Sequence, residues 1–156
     1  MTTVRQVLQS KSPQLWALSP DATVFQALEL MAEKDIGAIL IVDAECNLVG
    51  IFSERDYARK VILKGRNSKA VTVGELMTKK LFVVQPEVTL EECMKILSAK
   101  KIGHLPVLEN DKLVGMISIG DVVKNIISEK EFTIQQLERY ILGPAYPGEE
   151  SQEQPT

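Results

Sequence analysis

One histidine, two cysteines and no long apolar run set the first limits on this 156-residue sequence. The single histidine, His104, leaves one Ser-His-Asp combination, and no nucleophile-elbow sequence surrounds any serine, which argues against a serine hydrolase. One histidine with two scattered cysteines, Cys46 and Cys93, offers neither a metal-ligand set nor a disulfide framework. Both cysteines sit among apolar residues and are expected to be core fillers. No apolar run approaches the roughly 18 residues that a membrane span needs. A cationic surplus is also missing. The formal net charge is -3, so nucleic acid is not expected as the main ligand. The start, MTTVRQVLQSKS, has neither a long apolar stretch nor a small-residue cleavage site, which predicts a mature N-terminus and a cytoplasmic protein. Gly115 to Gly120 has nearly the spacing of a phosphate loop but lacks the Lys-Ser/Thr ending, so kinase-like or NTPase chemistry is not expected.

What the sequence does contain is an internal repeat, the feature to seek first. SPDATVFQALELMAEKDIGAILIVDAECNLVGIFSERDY aligns with QPEVTLEECMKILSAKKIGHLPVLENDKLVGMISIGDVV. The offset is 66 residues from Pro20/Pro86 through Gly37/Gly103, and 65 after the turn, at Gly50/Gly115, Ser53/Ser118 and Asp56/Asp121. In each copy a capping box, Thr23-x-x-Gln26 or Thr89-x-x-Glu92, opens a helix. Val24, Ala27, Leu28 and Met31, and their counterparts Leu90, Cys93, Met94 and Leu97, form one apolar stripe per helix. Gly37 and Gly103 are expected to end these helices. Two short apolar runs joined by a polar turn then predict an antiparallel pair: Ala38–Val42 with the run from Leu48, and Leu105–Leu108 with the run from Leu113. A second helix follows Ser53 or Ser118.

The expected fold is therefore α/β (α+β), with two βαββα units. A unit of about 55 residues makes a marginal core alone, so two copies gain by burying their sheet faces together. The expected division is residues 1–63 for the first unit with an N-terminal helix, 64–72 for a polar linker, and 73–127 for the second unit. A helix over 128–142, capped by Ser128-x-x-Glu131, and a tail over 143–156 of disordered composition complete the chain. The apolar stripe Ile134, Leu137 and Ile141 would cover either the protein's own core or a dimer partner.

GIFSERD (Gly50 to Asp56) and GMISIGD (Gly115 to Asp121) resemble the nucleotide signature of cystathionine-β-synthase-type (CBS) domains, and IGHLPVL resembles the strand that precedes it in that family. SERDYARKV, GRNSK, VGELMT and SIGDVV are similar to small bacterial and plant mitochondrial proteins made only of a CBS pair. The resemblance covers about residues 4 to 127 and implies a pseudo-twofold CBS pair, or Bateman module, that forms a homodimer. It further implies clefts for adenine nucleotides (AMP, ADP, ATP or NAD), no chemistry of its own, and a regulated protein as partner. In the family, the position of His104, matched by Ala38 in the first copy, reaches towards phosphate. The backbone beside Pro106, at Leu105 and less clearly at Ile39, receives adenine.

The residues themselves support part of this. Ser53 and Ser118 each stand between a strand and a helix start, where free N–H groups and the dipole favour phosphate. Asp56 and Asp121 follow three residues later, and a carboxylate there can accept from ribose hydroxyls. The same Ser-x-x-Asp is also a plain capping pattern. Arg55, in the first turn, opposes the helix dipole, which a bound phosphate would reverse; its other reading is a solvated side chain paired with Glu54 or Asp56. Two functions follow: a nucleotide-binding energy or redox sensor with unequal sites, or a ligand-independent scaffold in which the signatures serve only as caps.

Overall fold

The computed structural model describes residues 1–11 and 15–142. In chain order the elements are α1 (Val4–Ser10), β1 (Ala17–Leu18), α2 (Val24–Lys34), β2 (Ala38–Val42), β3 (Leu48–Ser53) and α3 (Glu54–Tyr57). α3 runs on as a π-helical turn, Ala58–Ile62. Then come α4 (Val73–Leu76), α5 (Leu90–Lys100), β4 (His104–Glu109), β5 (Lys112–Ser118) and α6 (Ile119–Leu142). The expected tail, 143–156, lies outside the described residues.

Each copy folds as its pattern dictates. Thr23 caps α2 with a full capping box, whereas Thr89 accepts from Glu92 N without the reciprocal bond. Val24, Ala27 and Met31 bury one face of α2; Leu90, Cys93 and Leu97 bury the same face of α5. Both helices end two residues before the expected glycines, at Asp35 and Lys101, which take the left-handed conformation themselves. β2 and β3 pair antiparallel, as do β4 and β5. The β4–β5 turn is the two residues Asn110 and Asp111, both at positive φ, as a primed hairpin turn requires. Cys46 does not fill a core: it is exposed, at φ 64, in the longer β2–β3 turn, which Asp43 Oδ1 organises by accepting from the N–H groups of Glu45 and Asn47. Cys93 is buried, and burial pushes its thiol up to about 11.

Pro106 accounts for a difference between the two sheets. In the first copy β1 lies parallel to β2, with Ala17 opposite Leu40 and Leu18 opposite Ile41. In the second copy the equivalent pairing shrinks to a single bridge, Val84 with Val107. Pro106 stands where Leu40 does. Its carbonyl accepts from Val84 N at 3.0 Å, so its nitrogen faces the same edge, and that nitrogen carries no hydrogen.

There are two cores, and the leading helices are exchanged between them. Val4 and Val7 of α1 precede the first copy yet pack with Leu90, Cys93, Leu97, Leu105 and Ile117 of the second. Val73 of α4 precedes the second copy yet packs with Val24, Ile39, Phe52 and Val61 of the first. Backbone bonds fix both: Val4 N to Val88 O and Leu90 N to Thr2 O on one side, Val73 N to Ala22 O and Gly74 N to Pro20 O on the other. The N-terminal helix therefore belongs to the first unit in sequence but to the second in space. Val71 and Thr72 close the expected linker as packed residues, since Val71 is buried and Thr72 bridges Thr23.

The helix expected over 128–142 is not separate. α6 continues unbroken from Ile119, because no glycine or proline lies between Asp121 and Leu142 to end it. Ser128 Oγ donates to Lys124 O instead of capping a new start. Residues 131–139 are exposed, including Phe132, Ile134 and Leu137.

The exchange makes a sharp prediction at Gly74. A Cβ there would stand 2.8 Å from Pro20 O, the carbonyl that receives the Gly74 N–H. Gly74→Ala should cost about 1–3 kcal/mol in urea unfolding. Gly103→Ala, where an added Cβ meets nothing within 4 Å, should stay within about 0.5 kcal/mol of wild type. Equal stability of the two variants would contradict the packing described.

Candidate functional site

The two copies enclose two clefts, and they are unequal. The larger, about 600 Å³, lies over the start of α3, within the size range of small-molecule sites. Its lining includes Gly37, Ser53, Glu54, Arg55, Asp56, Arg59, Lys60, Thr78, Lys80, Leu81, Phe82, Lys100, Lys101, Gly103, His104 and Pro106. The smaller, about 270 Å³, lies at the equivalent place beside β5 and is lined by Leu8, Lys11, Leu15, Trp16, Lys34, Ile36, Leu40, Val114, Gly115 and Met116.

At the larger cleft, Ser53 and Asp56 form a complete cap. Asp56 N donates to Ser53 Oγ, and Asp56 Oδ2 accepts from Ser53 N at 2.9 Å and from Ser53 Oγ at 3.0 Å. Asp56 Oδ1 accepts from Thr78 Oγ1 at 2.9 Å and faces Lys60 Nζ at 2.9 Å. With four donors in place and only 8% exposure, Asp56 can receive a ribose hydroxyl only by releasing Thr78 or Lys60. Arg55 pairs with neither Glu54 nor Asp56. Its guanidinium donates to Lys101 O at 2.6 Å, at the C-terminal end of α5, so it ties the first copy to the second where a cation suits the helix dipole.

Ser118 and Asp121 repeat the cap in the second copy, with Ser118 N to Oδ2 at 2.9 Å and Asp121 N to Ser118 Oγ at 3.1 Å, but neither residue lines the smaller cleft; Lys11, which does, reaches Asp121. There Lys11 takes the place of Thr78, donating to Asp121 Oδ2 at 2.7 Å and to Met116 O at 3.1 Å. Burial works to raise the Asp121 carboxyl, but the bonds from Lys11 and Ser118 hold it below the usual carboxylate range. Lys34 lies over the Trp16 ring at 4.5 Å.

The remaining sequence-derived candidates divide in two. His104 and Pro106 line the larger cleft. Ala38, Ile39 and Leu105 have no exposed surface and are not among the lining residues of either cleft. Ala38 and Leu105 are paired with Ser53 and Ile117 in their sheets. Gly37 and Gly103, which have only backbone to offer, do line the cleft. Gly37 O and Gly103 O accept from Glu54 N and Ile119 N, the first N–H groups of α3 and α6. The sequence reading missed Thr78, Lys80, Phe82, Arg59 and Lys100. Only Lys100 had a signal in the alignment, where it matches Lys34.

His104 lies between the copies, its ring 3.5 Å from where a Gly37 Cβ would be. Burial pushes the imidazole below its ordinary value; Asp121 pulls upward, and Lys11 and Arg55 push further down. The folded protein therefore binds fewer protons here than the unfolded chain just below pH 6.5. Stability from this group is full above that value and falls as the pH drops through the folded-state value. Urea midpoints should decrease from pH 7.5 to 5.5 more in wild type than in His104→Gln, and an identical slope would rule out the assignment.

Comparison with known proteins agrees with this architecture. The CBS domain family pattern matches residues 4–63 and 73–128. The chain is similar to the mitochondrial CBS domain-containing protein CBSX3 of Arabidopsis thaliana, 38% identical over 91% of this chain and 73% of that protein. A CBS-domain protein of Burkholderia ambifaria has a solved structure that superposes with a TM-score of 0.78, at 46% identity, over 81% of this chain and 95% of its own. CBSX2, solved in complex with AMP, gives a TM-score of 0.67 at 33% identity over 82% of this chain and 98% of its own. With two matched repeats, exchanged leading helices and a Ser-x-x-Asp cap in each copy, the chain belongs to the CBS-domain family and carries one CBS pair.

Proposed function

We propose that this CBS pair is an adenine-nucleotide-binding regulatory module without catalytic activity of its own, and that its principal ligand binds at the Ser53–Asp56 cleft. The carrying observation is the cleft itself: about 600 Å³ between the copies, bounded by a helix start, a buried carboxylate and several cations. The AMP complex of CBSX2 supports an adenosine ligand. In this reading the Phe82 edge, where Pro106 withholds an N–H, receives the base. Asp56 receives the ribose in exchange for Thr78 or Lys60, and the cations face phosphate. The candidate ligands are AMP, ADP, ATP and NAD(H).

A ligand moves a conformational equilibrium only by its difference in affinity for the two states. The Arg55–Lys101 bond supplies such a difference. It joins the copies across the cleft, and a phosphate that engages Arg55 competes with it. The signal would pass to a second copy in a homodimer or to a regulated protein. The scaffold reading keeps one specific support: both caps are complete without any ligand.

Thermal unfolding with AMP, ATP, NAD and NADH separates the two. A nucleotide at 100 times its dissociation constant should stabilise the protein by about 2.7 kcal/mol, and no shift with any of them at millimolar concentration would favour the scaffold. Asp56→Asn should weaken the principal binding event at least tenfold by calorimetry, a loss of about 1.4 kcal/mol. Asp121→Asn should leave that event in place.

A further inference from the structure

The charge of the larger cleft runs against that of the chain. The protein carries a formal net charge of -3, yet the cleft is lined by Arg55, Arg59, Lys60, Lys80, Lys100 and Lys101 against only Glu54 and Asp56. Several of these cations are already engaged. Lys60 meets Asp56 and Leu76 O, Arg55 meets Lys101 O, and Lys100 lies 5.0 Å from the centre of the Phe82 ring. Arg59, Lys80 and Lys101 are different: all three are exposed, and among the described residues none has a side-chain hydrogen bond or an ion pair. Arg59 and Lys80 come from separate elements, the π turn after α3 and the segment between α4 and α5, while Lys101 caps the end of α5.

The smaller cleft shows what is special here. Its cations, Lys11 and Lys34, are both engaged, one by Asp121 and one by the Trp16 ring. Glu54-Arg55 is replaced by Ile119-Gly120, and Lys60 by Asn125. One monophosphate needs one anion-binding centre, which the Ser53 helix start and Arg55 can supply together. Three further cations in the cleft lining, with no acidic partner, match additional anionic charge beyond that centre.

We infer that the Ser53–Asp56 cleft selects an adenosine bearing two or more phosphates over a monophosphate, and that Arg59 and Lys80 set this preference. The inference rests on the adenine-nucleotide reading above, and it concerns only how much phosphate the site takes. Arg59 and Lys80 act by long-range attraction in a solvent-exposed mouth, so the preference must weaken as salt shortens the screening length, which is about 10 Å at 0.1 M.

The test is calorimetry on the full chain with adenosine, AMP, ADP, ATP and inorganic triphosphate, at about 0.05 M and about 0.5 M salt. At low salt ATP should bind at least about tenfold tighter than AMP, equivalent to about 1.4 kcal/mol. The ratio should shrink at high salt, and in the Arg59→Ala/Lys80→Ala double variant it should fall to within about threefold. A variant that replaces Lys112, exposed in β5 and not among the cleft residues, should keep the wild-type ratio. AMP binding as tightly as ATP to wild type would overturn this inference and leave the proposed function standing. So would an unchanged ratio in the double variant. Binding of inorganic triphosphate as tightly as ATP would overturn it too, because the cleft would then be a polyanion site without adenosine selection. Failure of every adenosine compound to bind would overturn both.

Discussion

Val4 and Val7 leave the copy that carries them and bury themselves in the other, and Val73 makes the reverse journey. Each unit of about 55–60 residues is too small to bury much of its surface alone. The exchange gives each core a helix it does not encode nearby, and it makes the two copies one folding unit. It also builds the clefts. The chain that returns from α4 crosses the mouth above Ser53 and delivers Thr78, Lys80 and Phe82 to it. The chain that returns from α1 delivers Lys11, Leu15 and Trp16 to the equivalent place beside β5. Close approach is enforced by glycine: a Cβ at Gly50 would enter the Met77 side chain, 2.8 Å from Cγ, and one at Gly115 would stand 2.6 Å from Leu8 Cδ2.

From this shared frame the clefts have diverged in chemistry. Both copies retain the serine hydroxyl and the carboxylate three residues later. The first cleft encloses its serine and carboxylate among arginine and lysine, whereas the second is lined largely by leucine, methionine and tryptophan and leaves its own pair outside the lining. His104 stands between the two environments, feeling Arg55 from one cap and Asp121 from the other. A neutral imidazole at that point avoids adding a further charge to a site that already holds several.

The elements were legible because the repeat states each of them twice. The expected strand from Ala38 to Val42 has those bounds in the structure, and both caps stand where Ser53 and Ser118 indicated. What escaped the sequence was long-range. Nothing local in Thr2 to Leu8 says which core it joins, since an apolar face fits either. Cys46 shows the same limit: a cysteine beside apolar residues lies in an exposed turn. Pro106 did alter the strand pairing, at the edge facing Val84 and Phe82. Arg59 and Lys80 look like ordinary surface cations until folding places them over one opening.

The uninterrupted course of α6 has a mechanical consequence. Its first turn carries Asp121, within the Ser118 cap, and its 24 residues reach about 36 Å. Over that length, geometry alone means that a tilt of a few degrees at the base would displace the tip by several ångströms. The exposed Phe132, Ile134 and Leu137 ride on that far half. The exposed apolar residues thus stand at the far end of a long lever arm whose base is the Ser118–Asp121 cap.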